Sequence, residues 1–311
     1  MTQYIELQEK DISGILRKYN LKQIGYESIE EGAGNTTYIV RTKQDQYVLT
    51  IFEIDHFSVV NMSSLLCLLE ECSFPTTRVQ KLMNGDVTTS FRGKPVLLKP
   101  YIAGQVIKNL DGKMISQIGV AMANLHEIPH PDYLPKHHPY GLETFPRVIE
   151  RGINLEYENW LAERYDFLVQ LVSFRLPRGL IHGDMFYDNV LFNGDRFRAI
   201  IDFEEACWYY KVFDLGMGVV GLCREGLGIE LPKVRSLVKG YQQIRALEDK
   251  EKEALQLFIE YAAIATSSWR FWKYNIDTPI TSLSEKHWEM VKISKAARTI
   301  PKGEFMTAVF S

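Results

Sequence analysis

LIHGDMFYDNVLF, residues 180–192, sets two apolar runs around a polar centre of His182, Asp184, Asp188 and Asn189. Such flanks read as short buried strands, so the centre is a loop carried by the core. A carboxylate desolvated there without a partner is costly. A divalent cation is a natural partner, and Asp and Asn oxygens suit Mg2+, which keeps its other positions for water and phosphate. The loop is therefore expected to handle a metal and a phosphoryl group.

Two further acids extend the pattern downstream. Asp202 follows the apolar run AII in I-D-F, and Asp214 lies in F-D-L-G. Phosphoryl transfer needs one carboxylate to accept the proton of an attacking hydroxyl and oxygen ligands to hold the metal that bridges the phosphates. The spacing of Asp184 and Asn189, H-G-D-x-x-x-x-N, equals that of the kinase catalytic loop, and Asp202 stands where the metal-binding D-F-G aspartate would. Singly, Asp184 or Asn189 reads as a turn cap; the ordered set with strands between points to a metal-phosphate site. Asp188 reads as a supporting ligand or a solvated turn residue. His182 is expected to orient the loop by hydrogen bonding, and Asp214 to anchor it through backbone N–H groups. Glu204 and Glu205 are candidates for a second metal or a substrate amine, with plain surface placement as the alternative.

With 311 residues, the chain is longer than most single cores fill, so two lobes are expected. Hydrophobic residues are 46% and charged residues 24%, as in an ordinary globular protein. The net charge of -3 gives no basic surplus that would announce nucleic acid. No run reaches the ~20 apolar residues of a membrane span, and MTQYIELQEK lacks an apolar signal segment. Cys67, Cys72, Cys207 and Cys223 form no CxxC pair and read as buried free thiols. The expectation is a cytoplasmic protein that binds neither nucleic acid nor membrane.

Along the chain, residues 9–20 carry apolar positions at helical spacing, and 35–53 reads as a hairpin around KQDQ. VVNMSSLLCLLEEC reads as a helix, and RVQKLM with VTTSFRG as a second hairpin around Asn84-Gly85. KPVLLKPYIAG reads as a strand running into a connector. Beyond it ISQIGVAMANLHEI is an amphipathic helix, a Pro-rich loop follows, and 147–175 looks helical. VLF and AIIDF flank Asn193-Gly194 as short strands, and Phe258, Tyr261, Ala265, Trp269 and Trp272 stripe a long helix. The expected fold is α+β: residues 1–100 form a small antiparallel sheet lobe, and 101–311 a larger, mainly helical catalytic and substrate lobe.

The phosphate cradle is expected in the sheet lobe, where EEGAGNTTYIV places Gly32 and Gly34 in a turn. Glycine lets backbone N–H groups approach phosphate oxygens. Asn35, Thr36 and Thr37 add side-chain donors. Residues 98–102, with Lys99, Tyr101 and Ile102, would offer backbone groups to adenine, and Val48 and Ile39 apolar walls; ordinary core packing is the equal alternative.

H-G-D-M-F-Y-D-N-V-L-F followed by I-I-D-F-E-E-A-C and F-D-L-G resembles the aminoglycoside phosphotransferase and choline kinase superfamily, which has a two-lobed protein-kinase-like fold. More narrowly, E-G-A-G-N-T-T-Y-I-V, Y-V-L-T-I-F-E, A-N-L-H and W-R-F-W resemble its bacterial homoserine kinases, in the same order along nearly the whole chain. The resemblance implies Asp184 as catalytic base, Asn189 and Asp202 as Mg2+ ligands, and an ATP-covering turn at residues 32–37. It implies transfer of the ATP γ-phosphoryl group to the hydroxyl of L-homoserine, a step of threonine biosynthesis. Choline, ethanolamine and aminosugars are the other acceptors it leaves open. One departure stands out: Thr50 occupies the position of the ATP-pairing lysine of protein kinases, and Arg41, Lys43 and Lys99 are the cations nearby in sequence. A non-catalytic nucleotide-binding protein is the rival reading of that loss; the intact base and metal ligands oppose it.

Other motifs compete less well. H-E-I-P-H at 126–130 matches a zinc-protease signature, but Pro129 ends the helix that would place both histidines on one face. Residues 216–221 match G-x-G-x-x-G without the strand and distant acid of a dinucleotide site, and read as helix-packing glycines. No P-loop sequence occurs. Trp208, Arg270 and Trp272 are candidates for a substrate wall, against ordinary core placement.

Overall fold

The computed structural model describes residues 6–29, 35–52, 56–170 and 175–311. The chain divides into two compact units, Met1–Gly104 with Ala199–Ile201, and Gln105–Arg198 with Asp202–Ser311. No helix among the described residues is long and apolar enough to cross a membrane.

In the first unit, helix α1 (Glu9–Arg17) opens with the Gln8 N–H donating to the Asp11 carboxylate at 3.0 Å. Strands β1 (Gln23–Ile29), β2 (Thr36–Thr42), β3 (Gln46–Ile51), β4 (Thr89–Phe91) and β5 (Lys94–Pro100) form an antiparallel sheet in the order β1-β2-β3-β5-β4. Helix α2 (His56–Glu71) lies between β3 and β4 in sequence. Alternation sorts the side chains. Tyr38, Val40, Tyr47, Leu49, Ile51, Val96 and Leu98 bury themselves with Ile12, Ile15, Leu16 and Tyr19 of α1. The opposite face carries the paired positions Thr37 and Thr50, Ile39 and Val48, and Val48 and Lys99. Leu97 joins Phe52, Val59 and Met62 in a second cluster.

The second hairpin differs from its expected place. Residues 78–83 form no strand; they meet β5 through Gln80 N–H to Leu98 O at 2.8 Å. The Asn84-Gly85 turn forms, with Gly85 at φ +89°. The hairpin instead turns at Arg92-Gly93, φ +50° and +80°, the left-handed pair that a two-residue connection needs, and joins β4 to β5.

The second unit is mainly helical: α3 (Gly112–Glu127), α4 (Leu155–Val169), α5 (Lys211–Leu222), α6 (Leu231–Tyr241), α7 (Asp249–Phe271), α8 (His287–Thr299) and α9 (Lys302–Phe310). Short strands interrupt them: β6 (Gln105–Val106), β7 (Arg178–Ile181), β8 (Val190–Asn193), β9 (Arg196–Ile200), β10 (Cys207–Tyr210), β11 (Arg224–Glu225) and β12 (Gly228–Ile229). β7 pairs antiparallel with β10. The helix expected from residue 147 begins at Leu155 instead. Glu150 and Gly152 take φ +65° and +71°, which breaks any continuation. Asn154 caps the new start, and Glu158 accepts the N–H groups of Gly152, Ile153 and Asn154 at 2.8, 2.8 and 2.9 Å. The four cysteines are free, but Cys72 is exposed rather than buried, because it lies in the turn after α2.

The glycines of 216–221 lie on buried α5 and serve packing. An added Cβ at Gly216 would sit 2.4 Å from Phe258 O of α7, and one at Gly221 2.2 Å from Met185 O. Helix propensity alone favours Gly216→Ala by about 1 kcal/mol. The backbone clash reverses that sign, and the expected net loss is about 1–3 kcal/mol, read as a lower Tm in thermal melts.

Candidate active site

The apolar flanks of residues 180–192 become the end of β7 and strand β8, so the polar centre is a loop between buried strands. Asp214, fully buried near the start of α5, ties it down. Its carboxylate accepts the N–H of His182 at 3.1 Å and of Gly183 at 2.8 Å, and the imidazole Nε2 of His126 at 3.0 Å. Burial would raise this carboxyl, but the His126 bond, the nearby imidazoles and the Gly183 N–H outweigh it and hold it below the ordinary range. Burial pushes His126 down, only partly offset by Asp214. The imidazole is therefore neutral: Nε2–H donates to Asp214, and Nδ1 accepts the Tyr241 hydroxyl at 2.7 Å. Arg245 donates to the same hydroxyl at 3.2 Å and forks onto buried Glu251 at 3.0 Å. The zinc-protease alternative ends here, since α3 stops at Glu127 and His126 is spent on this network. Among the described residues no group of three or more His, Cys, Asp or Glu could hold a metal alone.

Gly183 has φ +86°, and a Cβ there would lie 2.8 Å from both Glu205 O and His138 Nε2. Its carbonyl accepts His138 Nε2 at 3.0 Å. The Asp184 N–H donates to His182 Nδ1 at 3.2 Å, the orienting role expected of that histidine. Both Asp184 oxygens are then fixed. Oδ1 accepts the Tyr140 hydroxyl at 2.9 Å, and Oδ2 accepts Asn189 Nδ2 at 3.1 Å. Asn189 Nδ2 also donates to Asp184 O at 2.8 Å, which leaves its Oδ1 as the oxygen a cation would use. Asp188 is exposed.

The β8–β9 hairpin leads to Asp202, and Gln117 of α3 clamps it. Gln117 donates to Asp195 O at 2.8 Å and accepts the Phe197 N–H at 2.9 Å. Asp202 is exposed and takes φ +67°, unusual for a residue other than glycine. Its charge reaches Asp184: burial raises that carboxyl most, Asp202 and Asp188 add to it, and His182 and Tyr140 oppose it. Glu205 is pushed up to about 8 by burial and then by Asp184, Glu204 and Asp202, with Arg147 opposing. Tyr140 is raised well above its usual value by burial and these same acids, so it stays a donor. The surplus of negative charge fits a cation, and the donor set of two carboxylates and an amide oxygen fits one that keeps sites for water and phosphate.

The structure thus brings Asp184 and Asn189 into direct contact, with Asp202 electrostatically adjacent. The other expected residues lie elsewhere. Gly32 and Gly34 fall outside the described residues. Thr37, Val48 and Lys99 share one sheet face, and Asn35 immediately precedes β2. The Tyr101 N–H pairs with Gln46 O at 2.9 Å, and Ile102 follows it. Tyr101 lines an open cavity of about 690 Å³ with Arg41, Gln44, Gln46 and Gln80. Arg41 pairs with Glu27 at 2.7 Å, and among the described residues the buried Thr50 hydroxyl has no hydrogen-bond partner. Glu204 is exposed. Trp208, on β10, packs by His130 and under Arg178, and Arg270 pairs with Glu289 at 2.7 Å. No contact joins either to Asp184. Strand alternation turns Trp208 away from the side of Cys207, and Arg270 faces α8. Tyr140 donates to Asp184, and Glu205, within charge range of Arg147, is also raised by Asp184; Tyr140 comes from the Pro-rich loop and Arg147 ends the short 3-10 turn that follows.

The chain matches the APH phosphotransferase enzyme family over residues 25–247. Among curated relatives, a homoserine kinase of Chelativorans sp. is 29% identical over 278 residues, 85% of each chain. One of Agrobacterium fabrum is 27% identical over 304 residues, 92% of each chain. Among solved structures, a microcompartment-associated aminopropanol kinase has TM-score 0.74 at 17% identity, covering 96% of this chain and 98% of that one. A spectinomycin phosphotransferase in complex with ADP and spectinomycin has TM-score 0.71 at 17% identity, covering 94% and 99%. At these identities the structural likeness is one of fold, and that fold is the kinase-like α+β one.

Asp214→Asn should destabilise the protein by about 2–4 kcal/mol at neutral pH, since an amide cannot accept all three donors. Because the folded carboxyl lies below its unfolded value, its contribution is complete above the ordinary carboxylate range and is lost as pH falls. The gap between variant and wild type should therefore close below about pH 4 in urea melts run across pH.

Proposed function

The chain belongs to the APH phosphotransferase enzyme family, and on that premise we propose that it transfers the γ-phosphoryl group of ATP to the hydroxyl of L-homoserine. Two observations carry the reading: the aspartate with both oxygens fixed beside a second acid, and the homoserine kinases matched over most of their length. We read the protein as a cytoplasmic enzyme acting on a small molecule.

In this mechanism Asp184 accepts the proton of the acceptor hydroxyl as that oxygen attacks phosphorus. Tyr140 and Asn189 hold the carboxylate so that its rotation is not free, which lowers the cost of reaching the reactive geometry. Asn189, through Oδ1, and Asp202 would hold Mg2+. When bound, the cation supplies positive charge against the phosphates and relieves the crowding of Asp184, Asp202 and Glu205. Asp214 and His126 touch no reactant here; they keep the His182–Gly183 backbone in place. Gly32, Gly34, Asn35, Thr37, Val48, Lys99, Tyr101 and Ile102 are carried forward as the nucleotide contacts that the sequence resemblance implies.

The decisive experiment measures ADP release from purified protein with Mg·ATP and one acceptor at a time: L-homoserine, choline, ethanolamine, an aminosugar. Turnover with homoserine above the rest supports the proposal; silence with homoserine and turnover with another alcohol ends it. Asp184→Ala should lower kcat by ~10²–10⁴-fold while nucleotide binding survives. The base works only when ionised, and its carboxyl is raised, so kcat/KM should fall with acid from above the ordinary carboxylate range. Tyr140 opposes that rise, so Tyr140→Phe should move the acid limb to higher pH.

A further inference from the structure

Resting on homoserine as acceptor, we infer that Arg147 receives the carboxylate of an α-amino-acid acceptor, so the site selects a hydroxy amino acid over a simple amino alcohol. Arg147 ends the 3-10 turn Leu142–Arg147, and its guanidinium lies over the Trp272 ring at 4.0 Å. That stacking fixes the plane of the fork. The arginine is partly buried, yet among the described residues its enclosed Nε has no hydrogen-bond partner. Among the other partly buried arginines of this unit, Arg164 pairs with Glu260, Arg224 and Arg270 with Glu289, and Arg245 with Glu251, while Arg178 donates to the Tyr210 hydroxyl at 2.5 Å and Arg235 to Ser311 O. Among the described residues Arg147 has no ion pair, and its Nε no partner.

The carboxylates whose charge reaches Arg147 are Asp277 and Glu205. Asp277 is already taken by Lys273 at 2.8 Å and by the Thr278 hydroxyl at 3.0 Å. Glu205 belongs to the acids around Asp184, and its carbonyl abuts Gly183. Arg147, stacked on Trp272 with its Nε unpartnered among the described residues, thus lies within charge range of Glu205, and Glu205 within that of Asp184. An amino acid offers the matching group, since a planar guanidinium binds a carboxylate through two parallel bonds. Homoserine carries its hydroxyl on a short ethylene arm from that charged carbon, which would let the arm reach toward Asp184.

Steady-state kinetics on wild type, Arg147→Met and Arg147→Lys test this with L-homoserine and with 3-aminopropan-1-ol, which is homoserine without its carboxylate. Wild type should favour homoserine. Arg147→Met, which keeps an apolar stem on Trp272, should raise the homoserine KM by roughly 10–100-fold. The preference for homoserine over 3-aminopropan-1-ol, as the ratio of their kcat/KM values, should fall with it, and Arg147→Lys should recover part of the loss. An unchanged homoserine KM in Arg147→Met overturns the inference and leaves the kinase reading standing. Wild type that is silent with homoserine but turns over 3-aminopropan-1-ol overturns both. If Arg147→Met does not fold, the wild-type comparison decides alone, and equal kcat/KM for the two acceptors overturns the inference.

Discussion

A buried carboxylate, Asp214, accepts two consecutive backbone N–H groups and one neutral imidazole, and the active loop depends on that bond set. Burying a carboxylate is costly unless every lone pair finds a donor. Here the donors are His182, Gly183 and His126. The backbone of the loop is thereby fixed before any substrate arrives. The Tyr241, Arg245 and Glu251 network behind His126 extends the constraint into α6 and α7. Glycines at the helix crossings let those helices come close enough to share it.

The second constraint is an imbalance of charge. Asp184, Asp202 and Glu205 share one neighbourhood; burial first raises the carboxyls of Asp184 and Glu205, and neighbouring carboxylates add to the rise. A folded protein keeps such an arrangement at a cost in stability, as functional sites commonly do. Cationic ligands relieve it, so binding energy and charge balance pull in the same direction.

Much of this was legible in the sequence wherever the signal was local. The strands flanking the loop, the roles of His182 and Asp214, and the packing glycines of α5 all follow from short-range pattern. The first hairpin was legible from alternation. The second was misplaced because Asn84-Gly85 is a good turn in its own right, and only the pairing of β5 with β3 and β4 shows which turn closes a ladder. Tyr140, Arg147 and Glu205 escaped notice as a group for a different reason. Tyr140 comes from the Pro-rich loop, where no period marks a face, and Arg147 ends a short 3-10 turn where a longer helix is expected to begin. Trp208 and Arg270 are residue types common in binding sites; here Trp208 packs against His130 and Arg178, and Arg270 forms an ion pair with Glu289.

Helix α3 touches this machinery twice. Gln117 grips the hairpin that leads to Asp202, and His126, further along the same rod, grips the carboxylate beneath the loop of Asp184. One helix therefore braces the hairpin at Asp195 and Phe197 and the loop floor at Asp214, so a kink in α3 between the two grips would disturb both at once.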